Sequence, residues 1–149
     1  MSRYEQVPSD VYKIMNDLIG DHFSYLAGAN IEALFDTKKK KKDGRYRLGA
    51  IQTTNDLTKF LTMSDEGTPA DYIMYLDKEV FTSIDDADKK RIIFHELCHC
   101  SVDMESKNPY KVKDHEIQGF YDELKFNEDD PKWTQRLSTI AESIHEDDE

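Results

Sequence analysis

The feature that most constrains this chain is the run Phe94–His99, which reads F-H-E-L-C-H and contains the pattern H-E-x-x-H. Apolar residues flank the two histidines, which favours a buried helix. Residues four positions apart lie on one face of an α-helix, so His95 and His99 can direct two imidazoles at one metal ion. Glu96 then stands where it can reach a metal-bound water. The run predicts two zinc ligands and a general base.

The surrounding sequence supports a helix at this position. Acidic residues at Asp85–Asp88 precede the run, and such residues favour a helix N-terminus. Before them, Asp71–Leu76 is rich in aromatic and branched residues, which predicts a strand. A buried helix that follows a strand is the setting in which the histidine pattern forms a metal site.

The composition indicates one globular domain. The chain has 149 residues, of which 38% are hydrophobic and 11% aromatic, enough for one domain with its own core. No apolar run approaches the roughly 20 residues of a membrane helix. We expect a single domain over residues 1–149, with a core from about residue 7 to 144 and an acidic tail at 145–149. No membrane contact is expected.

The cellular setting is predicted from the first residues and the cysteines. The opening residues show no apolar signal segment. Cys98 and Cys100 are two positions apart, which does not suit a disulfide between them, and we expect both to be packed thiols on one helix. A cytoplasmic location is the resulting prediction.

The charge distribution limits the partners. The formal net charge is −11, and residues 61–149 alone carry 23 acidic against 10 basic residues. A protein with this field does not attract nucleic acid globally. A local DNA contact through the lysine run stays open, and a solvated loop is the alternative. The run consists of Lys38, Lys39, Lys40, Lys41 and Lys42.

The remaining pattern predicts a small α+β fold. A helix begins near Ser9 or Asp10, and Ile31–Phe35 reads as a strand. The lysine run and an Asp-Gly pair then predict a hairpin whose return strand covers Arg45–Ile51. Further helices are expected at about residues 114–126, with Ile117, Phe120, Tyr121 and Leu124 on its apolar face, and from Pro131 to about Ile144.

A third metal ligand is needed, because catalytic zinc usually has three protein ligands and one open position. His22 lies far upstream and His145 lies in the predicted tail, so His115 is the preferred candidate. Asp114 and Glu116 are rival ligands, and Glu123 is a weaker one. The longer metzincin pattern is excluded, because Val102 and Glu105 stand at its glycine and third histidine.

The expected chemistry is hydrolysis of a peptide bond. Zinc lowers the pKa of a bound water to about 7, and Glu96 would take its proton and deliver it to the leaving amine. The oxyanion needs a second stabiliser. Candidates for that role are Tyr110, Lys111, Lys113 and Tyr121.

These residues together resemble the phage metallopeptidase family, a group of SprT-like zincins. The resemblance covers roughly residues 30–125 and rests on Arg47–Gly49, on Asp71–Leu76, on the H-E-x-x-H run and on His115–Phe120. The family commonly has Asp where this chain has Glu116, so a supporting role of that carboxylate behind the metal ligands is in question.

The resemblance implies a small zincin-like domain in which a short antiparallel sheet with a hairpin packs against the H-E-x-x-H helix and flanking helices. It implies Zn²⁺ bound by His95, His99 and His115, with Glu96 as the catalytic base, and a protein or peptide substrate. The alternative is a catalytically silent protein of the same fold that binds a host or DNA-associated partner. A closed structural zinc site is disfavoured, since such sites are usually cysteine-rich and have four ligands.

Overall fold

The computed structural model describes residues 2–42, 45–113 and 121–146. Eight strands, six α-helices and one 3₁₀ helix (Ser24–Leu26) are found in this part of the chain. The strands are β1 (Tyr4–Gln6), β2 (Ile31–Asp36), β3 (Lys41–Lys42), β4 (Arg45–Tyr46), β5 (Gly49–Thr53), β6 (Tyr72–Asp77), β7 (Cys100–Val102) and β8 (Tyr110–Val112). The helices are α1 (Ser9–His22), α2 (Asp56–Leu61), α3 (Lys78–Phe81), α4 (Asp86–Cys98), α5 (Tyr121–Phe126) and α6 (Trp133–Glu146).

The main sheet has four strands in the order β1-β2-β6-β5. Strand β6 is parallel to β2 and antiparallel to β5, so the sheet is mixed. The prediction of an antiparallel sheet is therefore wrong, although the α+β class is confirmed. The physical reason lies in β6, whose residues are buried on both faces except Tyr75. Such an apolar strand gains most from a central position, where it separates β2 from β5.

The predicted hairpin exists in a smaller form. The Lys-rich segment forms a two-residue ladder between β3 and β4, with Lys41 opposite Tyr46 and Lys42 opposite Arg45. The predicted return strand is broken after Tyr46, and its second part, β5, joins the main sheet at its edge. The chain thus leaves β2, forms the small hairpin beside the sheet and re-enters on the far side of β6.

Helix α4 lies in the core and begins at a side-chain cap. Oδ1 of Asp85 accepts a hydrogen bond of 2.9 Å from the backbone N–H of Asp88, as an N-cap residue does. Nearly every residue from Arg91 to Cys98 is buried, because α1 and the sheet cover different sides of this helix. Its apolar side chains pack with Val11, Met15, Leu18, Phe23, Tyr72 and Met74. The helix that carries the H-E-x-x-H run is therefore held in place by core packing on both sides.

The structure differs from two predictions near the C-terminus, the frayed tail and the apolar face of α5. Helix α6 continues to Glu146, and His145 is only 2% exposed, so this histidine belongs to the core and not to a frayed tail. Residues 147–149 lie outside the described residues. On α5, Leu124 is 59% exposed and Glu123 is 4% exposed. The predicted placement of Leu124 on the apolar face is therefore wrong.

The cysteines are buried, free thiols, as predicted, but they do not share a helix. Cys98 ends α4 and Cys100 begins β7. Burial raises the pKa of the Cys100 thiol to about 12, which keeps it protonated and unreactive. In the described part of the chain, no helix is long and apolar enough to cross a membrane. The extent of the single domain, residues 1–149, stays a prediction.

Candidate metal centre

Helix α4 brings the two histidines of the H-E-x-x-H run together at its C-terminal end. The ring centroids of His95 and His99 lie 5.2 Å apart, and the rings are nearly perpendicular. A zinc–nitrogen bond of about 2.0–2.1 Å places an imidazole centroid about 3 Å from the metal, so two rings at a tetrahedral angle are about 5 Å apart. The observed separation fits a shared zinc ion.

Each histidine is oriented through its Nδ1 atom. Nδ1 of His95 lies 2.8 Å from Oε1 of Glu123, and Nδ1 of His99 lies 2.6 Å from the backbone oxygen of Lys113. Both oxygens accept, so Nδ1 carries the proton in each ring and Nε2 is the nitrogen that would bind a metal. Hydrogen bonds of this kind commonly hold metal-binding histidines.

Lys113, the residue directly after β8, also fixes the backbone of His99. The backbone N–H of Lys113 donates a hydrogen bond of 2.6 Å to the backbone oxygen of His99. This contact continues the antiparallel pairing of β7 with β8. His99 is thus held by Lys113 at both its backbone and its ring, which limits the rotamers that it can adopt.

The acidic partner affects the protonation of His95. Burial lowers the pKa of this imidazole, but the hydrogen bond that it donates to Glu123 and the charge of Glu96 outweigh burial, so that the pKa is raised. The same carboxylates that favour an imidazolium also favour a bound cation. The histidine is therefore in an environment that attracts positive charge.

Glu96 points toward the edge strand and is 5% exposed. A Cβ atom added at Gly49 would lie 3.1 Å from Oε2 of Glu96 and 3.1 Å from the backbone oxygen of Tyr75. The glycine therefore makes room for this carboxyl group between α4 and β5. Burial raises the pKa of Glu96 to about 7, while the charges of His95 and Arg47 lower it and that of Glu123 raises it. A carboxyl group with this pKa is suited to general-base catalysis near neutral pH.

These groups face a cleft of about 750 Å³, a volume that small-molecule and peptide sites commonly have. Its apolar wall includes Leu48, Ile51, Ile92 and Trp133. The ring of Trp133 lies 6.3 Å from that of His95. Three cations, Arg45, Arg47 and Lys113, line the same cleft. The cleft therefore combines apolar and cationic surface around a buried carboxyl group.

Several predicted site residues cannot be located. His115, Glu116 and Asp114 lie outside the described residues, and Tyr121 is described only in its backbone. Within residues 2–42, 45–113 and 121–146, no group of three His, Cys, Asp or Glu side chains is arranged to hold a metal. The third ligand therefore stays a prediction.

The other predicted site residues differ in whether they reach the cleft. Tyr110 packs edge-on against Tyr72, and it is not among the described residues that line the cleft. The backbone oxygen of Lys111 accepts a hydrogen bond from the Tyr72 hydroxyl. Of the residues considered for the oxyanion, Lys113 alone lines the cleft in the described part of the chain. Glu123, considered as a weaker ligand, contacts His95 at Nδ1.

The lysine run is partly engaged with the fold. Nζ of Lys39 donates a hydrogen bond of 3.1 Å to the backbone oxygen of His145. Nζ of Lys41 lies 4.8 Å from the ring centroid of Tyr46. Neither the described residues nor the comparisons below support the predicted DNA contact.

Sequence reasoning missed three contributors to the cleft. Gly49 was noted only as part of a strand, while Arg47 and Trp133 carried no signal of function. The pattern around Trp133 predicts only the start of a helix. Its position beside His95 depends on how α6 packs against α4, which no local periodicity encodes.

An α+β fold with an H-E-x-x-H helix against the edge strand of its sheet defines a candidate metallopeptidase. Comparison with family sequences makes the assignment: the family described as "Putative phage metallopeptidase" matches residues 2–142, and the chain belongs to this family. The predicted resemblance is thereby confirmed, while the narrower SprT-like grouping stays a prediction. Membership implies a metal cofactor. No curated protein and no solved structure matches the chain significantly.

Proposed function

We propose that this protein is a zinc-dependent peptidase with His95 and His99 as metal ligands and Glu96 as general base. The observation that carries the proposal is the orientation of both histidines through Nδ1 beside a buried carboxyl group. His115 is the proposed third ligand, with Asp114 and Glu116 as alternatives. Family membership supports hydrolysis of protein or peptide at the coarser level.

Each residue of the proposed site has a distinct role in hydrolysis. A bound zinc ion would activate water and polarise the scissile carbonyl. Glu96 takes a proton from the attacking water and gives it to the leaving amine, so it returns to its starting state. Glu123 and the backbone of Lys113 keep the two imidazoles in the required tautomer. Lys113 is the proposed contact for the developing negative charge, because it lines the cleft.

The edge strand provides a place for the substrate backbone. Strand β5 is the last strand of the main sheet, and Gly49, Ala50 and Ile51 line the cleft. An extended peptide could add to this edge by main-chain hydrogen bonds. Its scissile bond would then lie next to Glu96, which approaches Gly49 most closely.

The decisive experiment separates metal binding from hydrolysis. Glu96→Gln should keep one zinc per chain by elemental analysis but lose cleavage of casein and of a quenched fluorescent peptide library by at least about 100-fold. Glu105→Gln is the matched control, because Glu105 is exposed and is not among the described residues that line the cleft. Cleavage retained by Glu96→Gln would contradict the role of Glu96.

The third ligand and the silent alternative are tested with the same preparations. His115→Ala should lose stoichiometric zinc, and Asp114→Asn and Glu116→Gln should keep it. A wild-type protein that binds zinc but cleaves none of these substrates would favour the catalytically silent binder. A cytoplasmic setting is part of the proposal, and the two free cysteines support it.

A further inference from the structure

The arginines of this chain differ in how they are paired. The chain has five arginines. Three of them are bound to carboxylates: Arg3 to Asp36, Arg91 to Asp88 and Asp129, and Arg136 to Asp88 and Asp130. The other two, Arg45 and Arg47, line the cleft, and within the described residues neither forms an ion pair. In a chain with 31 acidic residues, this contrast sets the two cleft arginines apart.

The cleft is cationic although the protein is acidic. Its described lining includes the two arginines, Arg45 and Arg47, but a single carboxyl group, the buried Glu96. The formal net charge of the whole chain is −11. A local reversal of sign in a concave site concentrates ligands of the opposite charge. The ligand favoured by this cleft therefore carries negative charge.

The positive surface continues beyond Arg47. This residue also borders a smaller pocket of about 150 Å³ that is lined by Lys38 and Lys40. Two carboxylates lie there as well, but Asp36 is held by Arg3 and Asp77 is held by His145. Asp36 is therefore compensated by the charge of Arg3, and among the described lining residues Asp77 is the remaining carboxylate against Lys38, Lys40 and Arg47.

The position of Arg47 relative to Glu96 locates the negative group. Arg47 precedes Gly49 by two residues, which an extended chain spans in about 7 Å. Gly49 is the residue that Glu96 approaches, and Arg47 and Glu96 line the same cleft. An anion bound by Arg47 would consequently lie within a residue or two of the bond that Glu96 acts on.

We propose that the cleft selects peptides with a carboxylate beside the scissile bond, and that Arg45 and Arg47 bind this carboxylate. The inference rests on the proposed peptidase function for its orientation, and it names the substrate class. Guanidinium groups suit the role, because they present paired donors that match a carboxylate. The carboxylate belongs either to an Asp or Glu side chain or to the C-terminus of the peptide.

The test measures binding to the Glu96→Gln protein loaded with zinc, so that no hydrolysis is needed. The probes are fluorescein-labelled peptides of one sequence. They differ only in whether Glu, Gln or Lys flanks the scissile bond, and each is made with a free and with an amidated C-terminus. Anisotropy titrations should show Glu peptides binding about tenfold more tightly than Gln peptides at 50 mM salt. The ratio should fall to about twofold at 500 mM salt because of screening.

Variants assign the preference to the arginines. In the Glu96→Gln protein, the further substitutions Arg45→Gln and Arg47→Gln together should reduce the ratio of the affinities for Glu and Gln peptides to below about twofold. Lys90→Gln removes the same kind of charge from an exposed site outside the cleft and should leave the ratio unchanged. A preference that depends only on the free C-terminus would assign the terminal carboxylate as the bound group.

Several outcomes overturn the inference. Equal binding of all these peptides, with no difference between Glu and Gln and none between a free and an amidated C-terminus, would do so. A carboxylate preference that survives in the double variant would do so as well. Preferential binding of a single-stranded oligonucleotide without a peptide preference would assign the arginines to phosphate instead. Wild-type protein that cleaves all these peptides equally, whatever their side chain or terminus, would reject the inference while leaving peptidase function intact. A clear binding preference without any cleavage would reject hydrolysis alone.

Discussion

Oε1 of Glu123 lies 2.8 Å from Nδ1 of His95, which makes a buried carboxylate on α5 the orienting partner of a histidine on α4. The two residues are 28 positions apart in the chain. This contact fixes the ring and leaves Nε2 as the nitrogen for the proposed metal. It would also raise the electron density on the imidazole, which would strengthen metal binding.

Loss of this contact should weaken metal binding. We expect Glu123→Gln to reduce zinc affinity about 10- to 100-fold, because the amide no longer supplies the negative charge that supports His95. Competition with a chromophoric chelator measures the change. Glu128→Gln, on an exposed neighbouring position, should have little effect. Equal zinc affinities of the two variants would show that Glu123 does not support the site.

The space at Gly49 should be essential for the position of Glu96. In Gly49→Ala the new methyl group would lie 3.1 Å from Oε2 of Glu96 and from the backbone oxygen of Tyr75. The carboxyl group can shift by a few tenths of an ångström, whereas the Tyr75 oxygen belongs to the paired strand β6. We expect peptide cleavage to fall about tenfold or more with zinc content retained.

The control for this substitution lies in the first helix. Gly20 is in α1, and an added Cβ there meets nothing within 4 Å. Gly20→Ala should keep full activity and raise the free energy of unfolding by up to about 1 kcal/mol, because alanine favours a helix. An active Gly49→Ala protein would contradict the proposed position of Glu96.

The buried ion cluster at the start of α4 should make stability depend on pH. Asp88 is 3% exposed and bonds to Arg136 through both oxygens and to Arg91. The hydrogen bond from Arg136 outweighs burial and lowers the pKa of Asp88 below its ordinary 3.8. A lowered pKa means that the contribution is fully present above the unfolded value and is lost as pH falls through the folded value.

Asp88→Asn tests this dependence. We expect a loss of about 3 kcal/mol in the free energy of unfolding at pH 7, because two arginines lose their shared partner. The difference from wild type should begin to shrink below about pH 3.8, where Asp88 of the unfolded chain takes up a proton, and should be lost as pH falls through the lower pKa of the folded state. Urea unfolding of both proteins at pH 7 and below about pH 3.8 measures this difference in the free energy of unfolding. Asp86→Asn, at an exposed position of the same helix turn, is the control, and an equal loss there would reject the cluster's role.

His145 should stabilise the fold from the last helix. Its Nε2 lies 2.7 Å from Oδ2 of Asp77, and both side chains are nearly fully buried. His145→Gln should lower the free energy of unfolding by about 2 kcal/mol, because the Asp77 carboxyl would lose a well-placed donor. Thermal unfolding with Glu142→Gln as the exposed control measures the effect. A loss no larger than that of the control would indicate that His145 is dispensable.

The local elements of the site could be read from the sequence. The i, i+4 spacing of His95 and His99 places both on one face of any helix, whatever surrounds it. The acidic start of α4 and the apolar strand β6 were likewise predicted, because capping and strand preference depend on neighbouring residues. The H-E-x-x-H run, together with Arg47–Gly49, Asp71–Leu76 and His115–Phe120, was sufficient to indicate the family to which the chain belongs.

Contacts between distant parts of the chain were decided only by the tertiary structure. The sequence predicts β2 and the return strand as neighbours, but β6 buries more apolar surface between them and separates the two. The approach of Glu96 to Gly49, the contact of Glu123 with His95 and the burial of His145 all join residues far apart in sequence. Local sequence patterns indicate which side chains prefer burial. Which distant residues a buried side chain contacts depends on how all the helices and strands pack together.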